Sequence, residues 1–162
     1  MDQTMENKAT GTICVGVDPG KLGAMAVLYP NGGIVLEPFG EEAFLVAFRT
    51  LSSSFFAGRK IVVALEHVGG IPGQSAPAAF NFGDNFGFIR GVVAACGLPY
   101  ELVRPQKWKK EFSCTSDKNT SIEVARRLFP QANLKRTERC KKDDDGLAEA
   151  LLLAEYARRR MA

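Results

Sequence analysis

Histidine is almost missing from this chain: His67 is the only one among 162 residues. The four cysteines, Cys14, Cys96, Cys114 and Cys140, form no C-x₂-C pair. A structural zinc site therefore has no ligand framework here, and catalysis through a serine–histidine relay has little to build on. Cys14 and Cys96 lie in apolar runs and read as small core residues; all four thiols are expected to stay reduced. Long apolar stretches are absent too. Runs such as residues 92–96 are far short of the roughly 20 residues that cross a bilayer, so no membrane association is expected. No internal repeat is visible. The first residues are polar and mixed in charge, without the basic start and apolar centre of a signal peptide. Residues 1–11 are thus read as a flexible leader, and 12–162 as one soluble, intracellular domain.

What is present fits that single domain: 46% hydrophobic and 24% charged residues, enough for a real core. The net charge of +3 hides an asymmetry. Residues 1–100 carry six basic and eight acidic side chains, residues 101–142 carry twelve and five, and residues 143–162 carry three and five. A basic segment beside acidic ones suits a protein that grips phosphates and performs metal chemistry on them. The alternative is a solvated basic face.

Ile13–Asp18 is a β-rich run ending at an acid, and residues 23–29 form a second apolar run. The Asn31-Gly32-Gly33 turn signals a hairpin into a third strand over 34–37. Residues 41–51 have helical spacing, with Phe44, Leu45, Phe48 and Leu51 on one face. Ile61–Glu66 is continuously apolar, as in a strand buried on both faces, and also ends at an acid. A Gly/Pro-rich loop over 69–77 precedes a helix over 78–96, with Gly97 at its C-terminal end. A short strand over Tyr100–Val103 stops at Pro105. Ser116 or Thr120 is placed to cap a helix reaching about Phe129. A basic loop over 135–142 leads into a last helix from Asp144 to Arg160, whose apolar stripe is Leu147, Leu151, Leu152 and Ala154. The order β-β-β-α-β-α-β-α-α implies a mixed five-stranded sheet with helices on both faces, the ribonuclease H-like α/β arrangement.

Asp18 and Glu66 end two strands, and Asp145 and Glu149 lie four apart on one helix, hence on one face. Singly, each has a structural reading: a turn former before Pro-Gly, a strand end, a solvated helix start. Together, converging acids repel unless a cation neutralises them. Oxygen-only ligands select Mg²⁺, or Mn²⁺ in its place. Two such ions roughly 3.5–4 Å apart activate water and stabilise the leaving oxygen of a phosphodiester, with no nucleophilic side chain and no organic cofactor. Asp144 competes with Asp145 for the third position. Lys107, Lys109 and Lys110 surround Trp108, which is read as a packing anchor rather than a base stacker. These lysines, with Lys135, Arg136, Arg139, Lys141 and Lys142, are expected to contact DNA phosphates. Phe86 and Phe88 are expected in the core.

These segments resemble the RuvC family of Holliday junction resolvases. Gly16-Val17-Asp18-Pro19-Gly20 resembles its first motif, Ala64-Leu65-Glu66-His67-Val68 its second, and residues 145–154 (DGLAEALLLA) its C-terminal acidic helix. Residues 86–91 (FGFIRG), 103–109 (VRPQKWK), 114–118 (CTSDK) and 126–130 (RRLFP) point to the branch of phage and plant chloroplast resolvases. The bacterial enzymes space their last two acids three apart, whereas Asp145 and Glu149 are four apart, as in that branch. The resemblance implies a homodimer that makes paired symmetric nicks in four-way DNA junctions and leaves 5′-phosphates. It implies catalytic and metal-binding roles for Asp18, Glu66, Asp145 and Glu149, and a lysine at position 118 that reaches the active site. It places the 71–88 region near the junction centre and the dimer interface, which makes Gln74 and Phe80 candidate DNA contacts. The expected setting is the cytoplasm of a bacterium or phage-infected cell, at the nucleoid, or an organelle. Two other readings stay open: a nuclease of the same fold that processes RNA, and a catalytically silent junction-binding protein.

Overall fold

The protein is described by a computed structural model covering residues 11–70 and 72–162; the leader, apart from Gly11, lies outside the described residues. Strand β1 (Ile13–Asp18) is buried along its whole length. Alternate residues of a strand face opposite sides, so β1 feeds two cores. Ile13, Val15 and Val17 join one layer, and Cys14 joins the other. β2 (Ala24–Leu28) pairs antiparallel with β1, and β3 (Ile34–Pro38) antiparallel with β2. β4 (Ile61–Glu66) lies parallel to β1 on its other side, and β5 (Tyr100–Val103) parallel to β4. The order across the sheet is β3-β2-β1-β4-β5, the mixed sheet expected from the sequence.

Five helices cover the sheet among the described residues. On one face lie α1 (Glu41–Phe56) and α2 (Ala76–Ala95), which bury Phe44, Phe48, Leu51, Ile89 and Val93. On the other lie α3 (Pro105–Glu111), α4 (Lys118–Leu128) and α5 (Asp145–Arg160). α5 is buried without a break from Gly146 to Ala157, because it crosses the middle of the sheet and is flanked by the other two helices. Its backbone rests directly on β1: a Cβ at Gly16 would stand 2.1 Å from the Ala154 nitrogen and 2.2 Å from the Ala150 oxygen. The expected stripe of Leu147, Leu151, Leu152 and Ala154 is buried.

Several expectations need correction. α1 runs five residues past Leu51. Its serines and threonine would compete for backbone groups in a coil, but Thr50, Ser53 and Ser54 donate to carbonyls one turn back at 3.0–3.2 Å. Ser52 instead donates to the Cys96 carbonyl at 2.7 Å and ties α1 to the end of α2. Leu45, expected on the apolar face, is exposed. α2 starts at Ala76 behind a Ser75 cap, so Pro77 belongs to its first turn, where proline costs no helical hydrogen bond. Asp117, not Ser116 or Thr120, caps α4 by accepting from the Asn119 N–H at 3.0 Å. Asp144 lies outside α5 as its N-cap. α3 has no counterpart in the sequence reading: Pro105 ends β5 there, whereas in the structure it opens a helix of only seven residues. Gly97 sits at φ +68°, the left-handed conformation expected behind α2. All four cysteines are free. No described helix is long and apolar enough to cross a membrane.

Candidate active site

Register brings the first two acids together. Val17 pairs with Leu65, so Asp18 and Glu66, one residue further along parallel strands, end side by side on the α5 face. Both are buried, as is Glu149. α5 presents Glu149 one turn after Asp145, which is half-exposed. Glu66 and Glu149 line a cleft of about 610 Å³, bounded by His67, Phe82, Arg104, Pro105 and Lys109.

The four acids feel one another. Burial raises Asp18 to about 6; the Gly20 N–H opposes this at 2.9 Å, and Glu149 and Asp145 push the same way as burial. Burial likewise raises Glu66 to about 7, with the Asp18 charge adding to it. Each acid has recruited a donor. Trp108 Nε1 donates to Glu66 Oε1 at 2.9 Å. Lys109 Nζ lies 3.1 Å from Glu149 Oε1, and Ser121 Oγ donates to the same oxygen at 3.3 Å. Lys118 pairs with Asp145, a hydrogen bond that raises the lysine above its ordinary value. With oxygens turned onto these donors, no three metal-ligating side chains among the described residues close around one point. The donor set is nonetheless all oxygen, crowded and short of positive charge, which fits a hard divalent cation.

Asp144 is engaged elsewhere. It accepts from the Leu147 N–H at 3.0 Å and forms a two-point pair with Arg136 at 2.7 and 2.9 Å. Burial would raise its carboxyl, but these bonds outweigh that and hold it below the usual range. Arg136 Nη2 also reaches the carbonyls of Leu22 and Gly23, so it staples the turn after β1 to the start of α5. Gly146 makes the closeness tolerable, since a Cβ there would stand 2.1 Å from the Leu22 oxygen. The staple holds Asp18 against Asp145 and Glu149.

The other sequence candidates scatter. Lys110, Lys135, Arg139, Lys141 and Lys142 are exposed. Lys107 pairs with Glu101 at 3.2 Å and lies over the Tyr156 ring, about two helical turns along α5 from Glu149, so its ammonium is engaged away from the acids. Arg136 spends its guanidinium on the staple, and Lys109 points at Glu149. Phe80 is 74% exposed on α2, while Gln74 is half-buried beside Phe82 and Phe86. Phe86 and Phe88 pack on the core edge as expected. The sequence reading missed Trp108 and Ser121 as partners of the acids. The available signal was Trp108 itself: a buried indole N–H needs an acceptor.

Strand order and helix placement define a ribonuclease H-like domain. Among solved structures the chain is similar to RuvC of Thermus thermophilus in complex with a Holliday junction substrate, with a TM-score of 0.58 and 14% identity over 93% of this chain and 97% of that one. It is likewise similar to a second structure of Thermus thermophilus RuvC, with a TM-score of 0.57 and 15% identity over 91% of this chain and 95% of that one. The chain thus has the RuvC fold over nearly its full length. No protein-family model and no curated protein sequence matches it.

Proposed function

We propose that this protein is a structure-selective DNA endonuclease that makes paired symmetric nicks in four-way junctions. It acts as a homodimer, as in the phage and plant chloroplast resolvases its motifs resemble. Its ions are Mg²⁺, or Mn²⁺ in substitution, two per active site. The observation that carries this reading is the crowding of Asp18, Glu66, Asp145 and Glu149, two of which line a cleft, in excess over the cations around them, on a fold shared with a RuvC bound to a Holliday junction.

Asp18 and Glu66 would hold the metal, with Asp145 and Glu149 completing the shell. Bound there, divalent ions supply the charge that lets a water lose its proton and the sugar oxygen leave, giving a 5′-phosphate. Around them, Lys118 offers an exposed ammonium next to Asp145 for the phosphate. The exposed cations of 135–142 border the start of α5 and suit the flanking backbone. Two active sites in an isologous dimer match the two equivalent strands of a junction.

The test is a labelled synthetic four-way junction with Mg²⁺, beside a linear duplex and an RNA–DNA hybrid, for the native protein and Glu66→Gln. Paired nicks in the junction alone, absent in the variant, are expected. Cleavage confined to the RNA-containing substrate would move the protein to RNA processing. A silent junction binder is favoured by one feature, that Lys109 and Lys118 already occupy two of the acids; junction binding without nicks at any Mg²⁺ or Mn²⁺ concentration would establish it.

A further inference from the structure

α3 is a seven-residue helix, yet two consecutive side chains from it meet two different acids. Trp108 is fully buried, the largest side chain of the core. Its indole N–H donates to Glu66 at 2.9 Å across 42 residues of sequence. Lys109, its ammonium 5.2 Å from the centre of the Trp108 ring, reaches Glu149. Packing alone does not require a tryptophan here, since phenylalanine fills apolar space without a polar atom. A buried N–H aimed at a buried carboxylate fixes that carboxylate's rotamer and spends one of its oxygens.

We propose that Trp108 is a positioning residue: its indole N–H holds Oε1 of Glu66, so that Glu66 offers its other oxygen to the cation. The proposal rests on the nuclease reading above. Glu66 ends β4, and the strand backbone sets only where its side chain begins. Trp108 supplies the second point that defines where the carboxylate stands. Lys109, beside it on α3, holds Glu149 at 3.1 Å in the same way. Partners that orient metal-binding side chains in this way typically contribute 10–100-fold in metal affinity or activity.

Trp108 is the only tryptophan in the chain, so growth of a tryptophan auxotroph on benzothienyl-alanine replaces this one side chain with a near-isostere lacking the N–H. Mn²⁺ binding by calorimetry, junction nicking and junction affinity in EDTA are then compared with the native protein. Expected are a roughly tenfold or greater loss of Mn²⁺ affinity and of nicking rate, with junction affinity in EDTA unchanged and a single cooperative urea transition retained. Mn²⁺ affinity and nicking equal to native in the substituted protein would overturn the proposal. On the native protein, saturating Mg²⁺ is expected to change the emission of this single indole, and unchanged emission also counts against the proposal. Should the native protein itself neither bind Mn²⁺ nor nick junctions, the nuclease reading fails first and this inference falls with it.

Discussion

Asp18 and Glu66 are buried in a region whose nearest cations, Lys109 and Lys118, are bonded to the other two acids. Both carboxyls are therefore raised, to about 6 and about 7, above the ordinary 3.8 and 4.5. Between those limits the folded chain binds more protons than the unfolded chain. Stability must then fall as pH rises through about 4 to 7, the reverse of an acid held by a salt bridge. In EDTA the thermal unfolding midpoint is expected to be higher at pH 5 than at pH 8, with Mn²⁺ restoring it at pH 8 and doing little at pH 5. A midpoint rising steadily from pH 5 to 8 in EDTA would contradict the crowding. Glu66→Gln removes the penalty permanently. It should abolish nicking, leave junction affinity intact and stabilise the metal-free protein by on the order of 2 kcal/mol. The four acids were visible in the sequence because Asp18 and Glu66 end strands, Asp145 opens a helix and Glu149 follows it at helical spacing. Choosing between Asp144 and Asp145 was not possible there, since adjacent acids look alike until one is seen capping α5 and paired with Arg136.

Among the elements, α5 carries the most weight. It lies on β1 with nothing between, at Gly16. Gly16→Ala drives a methyl into the helix backbone, so α5 must lift off β1. We expect a loss of about 3 kcal/mol or more in urea unfolding, at the upper end for single substitutions. Arg136 guards the other end. Arg136→Gln keeps the length but breaks the two-point pair with Asp144 and frees the turn after β1. Nicking should drop at least tenfold, while the salt dependence of junction binding barely changes. If Arg136 were a phosphate contact, the slope of log affinity against log salt would instead shrink by about 0.9. The sequence reading gave Arg136 to DNA because a guanidinium in a basic loop looks free. Its partners, the carbonyls of Leu22 and Gly23, lie more than a hundred residues away and have no signature in the sequence. α3 escaped notice for a different reason: seven residues are too few for periodicity to show.

For the whole molecule, the exposed cations of 135–142 border the start of α5, and the N-terminal half of α2, with Phe80, is exposed. Replacing Lys141 and Lys142 together by Gln should weaken junction binding with little effect on the rate at saturating DNA, and should lower the salt slope by about 1.8. Sedimentation at micromolar concentration is expected to give twice the chain mass for the proposed dimer; a monomer that still nicks junctions symmetrically would rule the dimer out. The order of elements along the sequence already implied one mixed sheet covered by helices on both faces, since a hairpin trio followed by strands alternating with helices admits few other arrangements, and it put Asp18 and Glu66 at strand ends with Asp145 and Glu149 on one helix face. What those acids touch emerged from contacts across the fold. Trp108, Ser121, Lys109 and Arg136 find their partners through the register of parallel strands and the bed of α5 on Gly16, and contacts between segments far apart in the chain leave no local pattern of spacing to read.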